Sequence, residues 1–392
     1  MLSIDVLLVL RAAIEHYPPT LNQANILAAS SLRVGVIDLS SAVTLNSVLH
    51  PSIQRWQVHR LWDSKKEQPL PLIQRLRNGI KFRHCCQEVI RSTRPKVVIG
   101  YDTTGCVHLR PGTKTYRTIF HFHELSEKEK GMGLGSALAL KLSFKASRKA
   151  DLVVFPDAHR AKEFQQMAGL SVSPKVVMNC PVRQATVPAS PLSNYLSLAA
   201  GPVVCYLGSV GINQGLMEAA RSMRHWQANA RFVLIGDHSE SVRSQIMAAA
   251  ESAGCGKRVL FLGQKAHQEA LALVAGANLG LSLIQPRSRN YFYSAGAVNK
   301  RFEYMALGLP QITNDGPGVA EIVEATGCGV CVDPGSAKAI GRAVRELLEN
   351  PARLAQFREN ARACHLARFN YETQFAEVAN WITAQVRDTP SA

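Results

Sequence analysis

The sequence predicts an α/β chain built from two doubly wound parallel sheets. Three observations carry this. The chain has 392 residues, 46% of them hydrophobic and 19% charged. That is globular composition with more length than one core organises, since single cores rarely grow past ~250–300 residues. From residue 202 onward, short β-branched runs alternate with amphipathic stretches, the pattern of a parallel sheet covered on both faces. Between the halves lies CPVRQATVPASPLSNYLSLAAGP (180–202), rich in Pro, Ser and Ala, which reads as a linker.

In the second half the strands are PVVCYLG (202–208), RFVLIGD (231–237), RVLFLG (258–263), LGLSLI (279–284), LPQIT (309–313) and GVCVD (329–333). Helical stretches separate them: QGLMEAARSM (214–223), SVRSQIMAAAESAG (241–254), HQEALALVAGA (267–277), NKRFEYMALG, VAEIVEAT (319–326) and SAKAIGRAVRELLEN (336–350). Strands that end in Gly208, Gly236 and Gly263 resemble ligand-facing turns, because ligands of such sheets sit beyond the carboxyl ends of the strands. The first half repeats the scheme less cleanly, with strands at 4–10, 33–39, 96–100, 117–123, 151–155 and 175–178 and helices near 20–30, 70–93, 134–149 and 158–168. We therefore expect a Rossmann-like domain over 1–184, a linker over 185–201 and a second Rossmann-like domain over 202–369. A last helix near 370–390 would pack back on the first domain. Two such domains are expected to face a cleft, the usual place for a small-molecule site.

Composition narrows the partners. No apolar run reaches the ~18–20 residues of a membrane span, and the opening MLSIDVLLVL is short and carries Asp5, so it reads as a buried strand. The cysteine count is nine and the spacings form no disulfide framework, which favours packed thiols and a reducing cytoplasm. The one CxxC, Cys328 to Cys331, lacks a second pair or nearby His and makes a poor zinc site. The net charge of +16 is uneven: residues 1–190 hold 26 Lys and Arg against 13 Asp and Glu. An anionic partner fits this half, either a membrane leaflet or a phosphorylated substrate. No nucleic-acid-binding motif accompanies the charge, so nucleic acid is not expected.

The stretch NKRFEYMALGLP (299–310) carries the chemistry. One carboxylate, Glu303, stands among Phe302, Tyr304, Met305 and Leu307 in a short helix with two cations in its first turn. Asn299 is expected as the N-cap, with Gly308 past the end and Pro310 beyond it. The free N–H groups of that first turn and Lys300 would then face an anion. The bland alternative is that Lys300 and Glu303 only pair at i,i+3 on a surface. FHFHEL (120–125) is the second candidate. It closes a strand, so His121 and His123 share a face with Glu124 at the turn, and two His without a third ligand make a thin metal site. GMGLGS (131–136) does not pass directly from strand to helix and reads as a flexible loop.

With these residues in view, the chain resembles the GT-B glycosyltransferases, specifically the family-4 retaining enzymes that use nucleotide sugars. VVCYLGSVGINQGLMEA, FVLIGD, VLFLGQ, NKRFEYMALGLPQITNDGPGVAEIVE and GVCVDPGSAKAIGRAV carry the resemblance. YPPTLNQANILA, RPKVVIG, FHFHEL and KVVMNCP add to it in the first half. The resemblance implies a nucleotide-sugar donor on the second domain and a hydroxyl acceptor, lipid-linked acceptors included, on the first. It implies that Glu303 binds the donor ribose, which a carboxylate can do by accepting two hydrogen bonds, and that His123, with Glu124 beside it, meets the transferred sugar.

The chain departs from the family in three places. Ala295 stands where a second glutamate is common. Ser209 and Gln214 stand where cations often hold the diphosphate. Tyr17-Pro18-Pro19 replaces a Gly-Gly turn. The diphosphate is then left to Lys300, Arg287, Arg289 or backbone N–H groups, unless 286–296 is merely an exposed loop. No Asp-x-Asp occurs, so no metal or other cofactor is expected. Membrane docking through the basic stretches 70–94 and 140–149 is expected beside the acceptor face. A nucleotide-sugar epimerase or hydrolase and a non-enzymatic sugar-nucleotide binder are the alternatives.

Overall fold

A computed structural model of the chain describes residues 3–40, 49–59, 72–126, 133–196 and 201–388. Residues 1–2 of the opening segment, 70–71 of the first basic stretch, 131–132 of GMGLGS, 197–200 of the linker and 389–390 of the last helix lie outside the described residues. Two compact units result. One takes the residues up to Val177 together with those from Gln374, and the other is Met178–Thr373.

The first unit holds a seven-stranded sheet, every pair parallel, in the order β3-β2-β1-β4-β5-β6-β7. The strands are β1 (Val6–Val9), β2 (Val34–Leu39), β3 (Gln54–Val58), β4 (Val97–Tyr101), β5 (Arg117–His121), β6 (Leu152–Phe155) and β7 (Lys175–Val176). Between them run α1 (Pro18–Ala29), α2 (Leu72–Thr93), α3 (Asp102–Cys106), α4 (Leu134–Ser147) and α5 (Ala158–Ala168). The strand order reverses between β1 and β4, the place where such sheets open toward ligands. β1 is buried at all four positions, which is why VLLV reads as a continuous apolar run instead of an alternating one. Phe164 of α5 meets Phe122 and Phe155, and the three ring centroids lie within 5.1 Å of one another.

β3 is a strand the sequence pattern does not announce. QRWQV is polar because it is the sheet edge, and its Arg55 is held by Asp38 and Glu15, both at 2.6 Å. The final helix of the chain starts in one unit and ends in the other. From Gln374 it serves the first, where Lys96 Nζ donates to the Val386 carbonyl at 2.9 Å and Lys175 pairs with Glu377 at 2.5 Å.

The second unit repeats the plan with six parallel strands in the order β10-β9-β8-β11-β12-β13. These are β8 (Val203–Leu207), β9 (Arg231–Ile235), β10 (Val259–Gly263), β11 (Leu279–Ser282), β12 (Gln311–Asn314) and β13 (Gly329–Val332). Its helices are α6 (Leu216–Ser222), α7 (Glu240–Ser252), α8 (His267–Ala275), α9 (Arg289–Phe292), α10 (Asn299–Ala306), α11 (Val319–Val323), α12 (Ala337–Leu348) and α13 (Pro351–Ala367), followed by α14 (Tyr371–Asp388), which crosses into the first unit. Here the order reverses between β8 and β11. The carboxyl ends of β8, β9 and β10 carry Gly208, Gly236 and Gly263 side by side, linked by bonds from Gly208 N to the Ile235 carbonyl and from Gly236 N to the Gly263 carbonyl, both 2.9 Å.

Close approach of backbones makes Gly236 obligatory, since a Cβ there would lie 1.9 Å from the Gly208 carbonyl oxygen. Gly263 has open space at its Cβ position and only its left-handed φ of +69° to satisfy. Gly236→Ala is therefore expected to cost ~2–4 kcal/mol, as a buried backbone clash. Gly263→Ala should cost about 1 kcal/mol, the price of the left-handed conformation. Denaturant unfolding of the two variants measures the difference, and equal losses would contradict the clash.

Candidate functional site

Two clusters of polar side chains gather at strand ends, one in each unit. In the second unit the organiser is α10. The expected cap at Asn299 is corrected. Val298 holds the extended cap position, with φ −95° and ψ 102°, and makes no side-chain cap bond, while Asn299 is the first helical residue. The cause lies one turn on. Arg301, fully buried, donates Nη1 to the carbonyls of Ser294 (2.8 Å) and Ala295 (2.6 Å) and Nη2 to Thr313 Oγ1 (3.1 Å) and Asn314 Oδ1 (3.3 Å). This anchors the incoming chain, so the helix starts with a backbone bond from Arg301 N to the Val298 carbonyl. The helix stops at Gly308, φ +63°. Tyr304 lies on the bare backbone of Gly280 and donates to the Leu281 carbonyl.

That anchoring sends Lys300 and Glu303 the other way. Lys300 Nζ donates to Tyr206 OH at 3.0 Å and Gln214 Oε1 at 3.2 Å and sits 4.4 Å over the Tyr206 ring. A Cβ on Gly208 would meet Lys300 Cε at 3.3 Å and Nζ at 3.5 Å, so the ammonium lies directly over that glycine. Loss of hydration pulls its pKa down to about 8. Glu303 is 8% exposed, and burial raises its carboxyl pKa, with His267 and Lys300 pulling the other way. The nearest basic side chain is His267, its Nε2 at 3.7 Å. Among the described residues no ion pair joins Lys300 to Glu303, so the plain i,i+3 surface pair is not what forms. A buried ammonium and a buried carboxylate, each short of a full set of partners, stand at the switch point of the sheet. Arg287 stands on the exposed stretch before α9, where its Nε donates to Gln285, and Arg289, also exposed, opens α9.

The second cluster surrounds His123 at the end of β5. Asp102 accepts from His123 N at 2.8 Å and pairs with Nδ1 at 2.9 Å. Asp102 itself has φ +51°, a left-handed residue without a glycine's freedom. On the other side of the ring, Thr20 Oγ1 lies 3.0 Å from Nε2. His121 stacks on His123 at 5.2 Å and takes a hydrogen bond from Gln23, whose oxygen in turn accepts from Tyr101 OH at 2.5 Å. Burial holds His121 well below the usual imidazole pKa, so it is neutral. Glu124 is exposed at the turn. Sequence reasoning found His123 and missed its partners. Asp102 and Thr20 lie 21 and 103 residues away, and no local pattern joins them. Among the described residues no group of three or more His, Cys, Asp or Glu is arranged to hold a metal ion.

Comparison with known proteins bears on the fold. Residues 197–363 match the family Glycosyl transferases group 1. The chain is similar to sucrose-phosphate synthase from Thermosynechococcus elongatus, at 17% identity and a TM-score of 0.76 over 98% of this chain and 100% of that one. It is similar to Anabaena HepE in complex with UDP, at 17% identity and 0.73 over 97% and 100%. It is also similar to WaaG, a glycosyltransferase involved in lipopolysaccharide biosynthesis, at 15% identity and 0.66 over 96% and 99%. At such identities the likeness establishes the fold, which is GT-B. No curated protein matches by sequence. The match to this family falls within the second unit of a GT-B fold, which supports a glycosyltransferase.

The depressed Lys300 pKa has a consequence for stability. The unfolded lysine, near 10.5, binds its proton more tightly than the folded one, near 8. Unfolding therefore takes up a proton between those values, and Lys300 destabilises the ligand-free fold less and less as pH rises through that window. Lys300→Met removes the effect, so its stability advantage over wild type should shrink from pH 8 to pH 10. Parallel unfolding curves for the two proteins would contradict the buried ammonium.

Proposed function

We propose that this protein moves a sugar from a nucleoside-diphosphate sugar on its second unit to an acceptor hydroxyl on its first. The observation that carries the reading is the pairing of Lys300 over Gly208 with the buried Glu303 one turn away. The glutamate would accept both hydroxyls of a ribose cis-diol, and the ammonium would take the diphosphate beside the backbone N–H groups of the turn after β8. Departure of the nucleoside diphosphate is the difficult step, and a positioned cation in a site poor in water stabilises the charge that develops there. Solved structures of the similar HepE include complexes with UDP and with UDP-glucose, which supports a nucleotide-sugar donor. We read the transferred group as a hexose and the reaction as retaining and metal-independent, and we assign His123, fixed by Asp102, to the sugar and acceptor side with Glu124 at its rim.

Labelled UDP-hexoses with a panel of acceptors test this. Transfer that survives EDTA and keeps the anomeric configuration is expected. Free sugar or an epimer would point to the hydrolase or epimerase reading instead. Glu303→Gln should fold normally and bind UDP more weakly by roughly 1.5–3 kcal/mol, the loss of charge-assisted hydrogen bonds. Unchanged affinity in calorimetry would remove the ribose role.

A lipid-linked acceptor, worked on from the cytoplasmic side of a membrane, fits the basic half of the chain. The nine cysteines are all free thiols, as in a reducing compartment. α2 turns Phe82, Cys86 and Val89 inward and leaves Ile73, Leu76 and Ile80 exposed at 66, 57 and 69%, with Arg77, Lys81 and Arg83 exposed around them. α4 likewise exposes Leu138 and Leu142 beside Lys141 and Lys145. No helix of the described residues is long and apolar enough to cross a membrane. Such helices can lie on an anionic surface, each cation near it contributing about 1 kcal/mol. Co-sedimentation with liposomes is expected only with anionic lipid and should fade as salt rises. Protein that stays in the supernatant at low salt would favour a soluble acceptor.

A further inference from the structure

Tyr206, in β8, is wholly buried, and its phenol serves two segments at once. It donates to the Ser209 carbonyl at 2.7 Å, which commits its single proton to the turn after the strand. Its oxygen then accepts from Lys300 Nζ at 3.0 Å, while its ring lies under the same ammonium. Burial raises the phenol pKa above the usual range, so the group stays neutral. Gln214 Oε1 takes a second ammonium N–H at 3.2 Å. An ammonium has three N–H donors, which leaves one for a ligand above the bare Cα of Gly208. The chain has no cation at 209 or 214, so nothing beside Lys300 in this turn supplies full charge.

We propose that Tyr206 is a positioning residue for the donor diphosphate. It locks the Gly208–Ser209 turn and the Lys300 ammonium into one unit, so that the third N–H of Lys300 and the turn's backbone meet the phosphates together. A flexible lysine on α10 alone would lose side-chain entropy on each binding event. The phenol and Gln214 hold it in advance. The proposal rests on the reading of Lys300 as the phosphate-facing cation, and the test separates the two.

Calorimetry with UDP and with inorganic pyrophosphate compares wild type, Tyr206→Phe and Lys300→Met from pH 6.5 to 9.5. In wild type, affinity should fall as pH rises past about 8, where the ammonium loses its proton. Tyr206→Phe keeps the ring and its packing. It is expected to weaken both probes about tenfold, the loss of one charge-assisted hydrogen bond, and to move the alkaline fall to lower pH, because the charged form has lost an acceptor. A merely structural role would lower unfolding stability without moving that fall. Lys300→Met should bind weakly at every pH. If Lys300→Met weakens binding and Tyr206→Phe matches wild type in affinity and pH profile, the positioning role is wrong and the Lys300 reading stands. If Lys300→Met binds like wild type, or wild type binds neither probe, the reading beneath it is wrong.

Discussion

A buried arginine sets the frame of the second unit. Arg301 sits with no exposed surface and has two backbone carbonyls and two side-chain oxygens as hydrogen-bond acceptors. Burying a charge is costly unless its donors are met, and removing the acceptors would cost far more than the arrangement yields. The guanidinium fork therefore ties together the loop at 294–295, the end of β12 and the start of α10, and Asn314 extends the tie to the segment after β11 by accepting from Ile284 N. Once Arg301 points into the protein, helix geometry leaves Lys300 and Glu303 pointing elsewhere. The polar face of α10 is a consequence of how its buried face is satisfied.

The same logic runs through the glycines beneath it. Tyr304 can lie on β11 because Gly280 has no side chain; a Cβ there would meet the ring at 2.7 Å. Lys300 can lie over the turn because Gly208 has none. Where the sheet and α10 come closest, the strand residues are small, and what fills the space is an aromatic ring or an ammonium stem. Charge is thereby held near backbone N–H groups at low hydration, the condition under which each polar contact counts for more than it does in water.

In the first unit the corresponding device is a pair of hydrogen-bonded lines of side chains. Tyr101, Gln23 and His121 pass hydrogen bonds inward, while Asp102, His123 and Thr20 form a second line beside them, the two imidazoles stacked. Asp102 adopts a left-handed backbone that L-residues rarely take. Such strain persists where the surroundings over-determine it, and it clusters at working sites. Two bonds to one histidine, from Nδ1 and from the backbone N–H, are what hold it.

The sequence alone determined most of the architecture. Alternating β-branched and amphipathic runs, together with glycines after β8, β9 and β10, encode a doubly wound sheet through local periodicity, and periodicity is a property of neighbouring residues. It also located α10 and singled out Lys300, Glu303 and His123, because a carboxylate in an apolar helix and paired histidines at a strand end are visible without coordinates. It could not announce β3, whose polar QRWQV is an edge strand stabilised by Asp38 and Glu15 from elsewhere in the chain. It misplaced the cap of α10 by one residue, because Arg301 draws the incoming chain to acceptors at 294, 295, 313 and 314. Tyr206, Gln214, Asp102 and Thr20 carry no signature of their own. Tertiary structure decided their roles, because each depends on a hydrogen bond to a residue far along the chain, and direction at a buried atom is set only when the two segments pack.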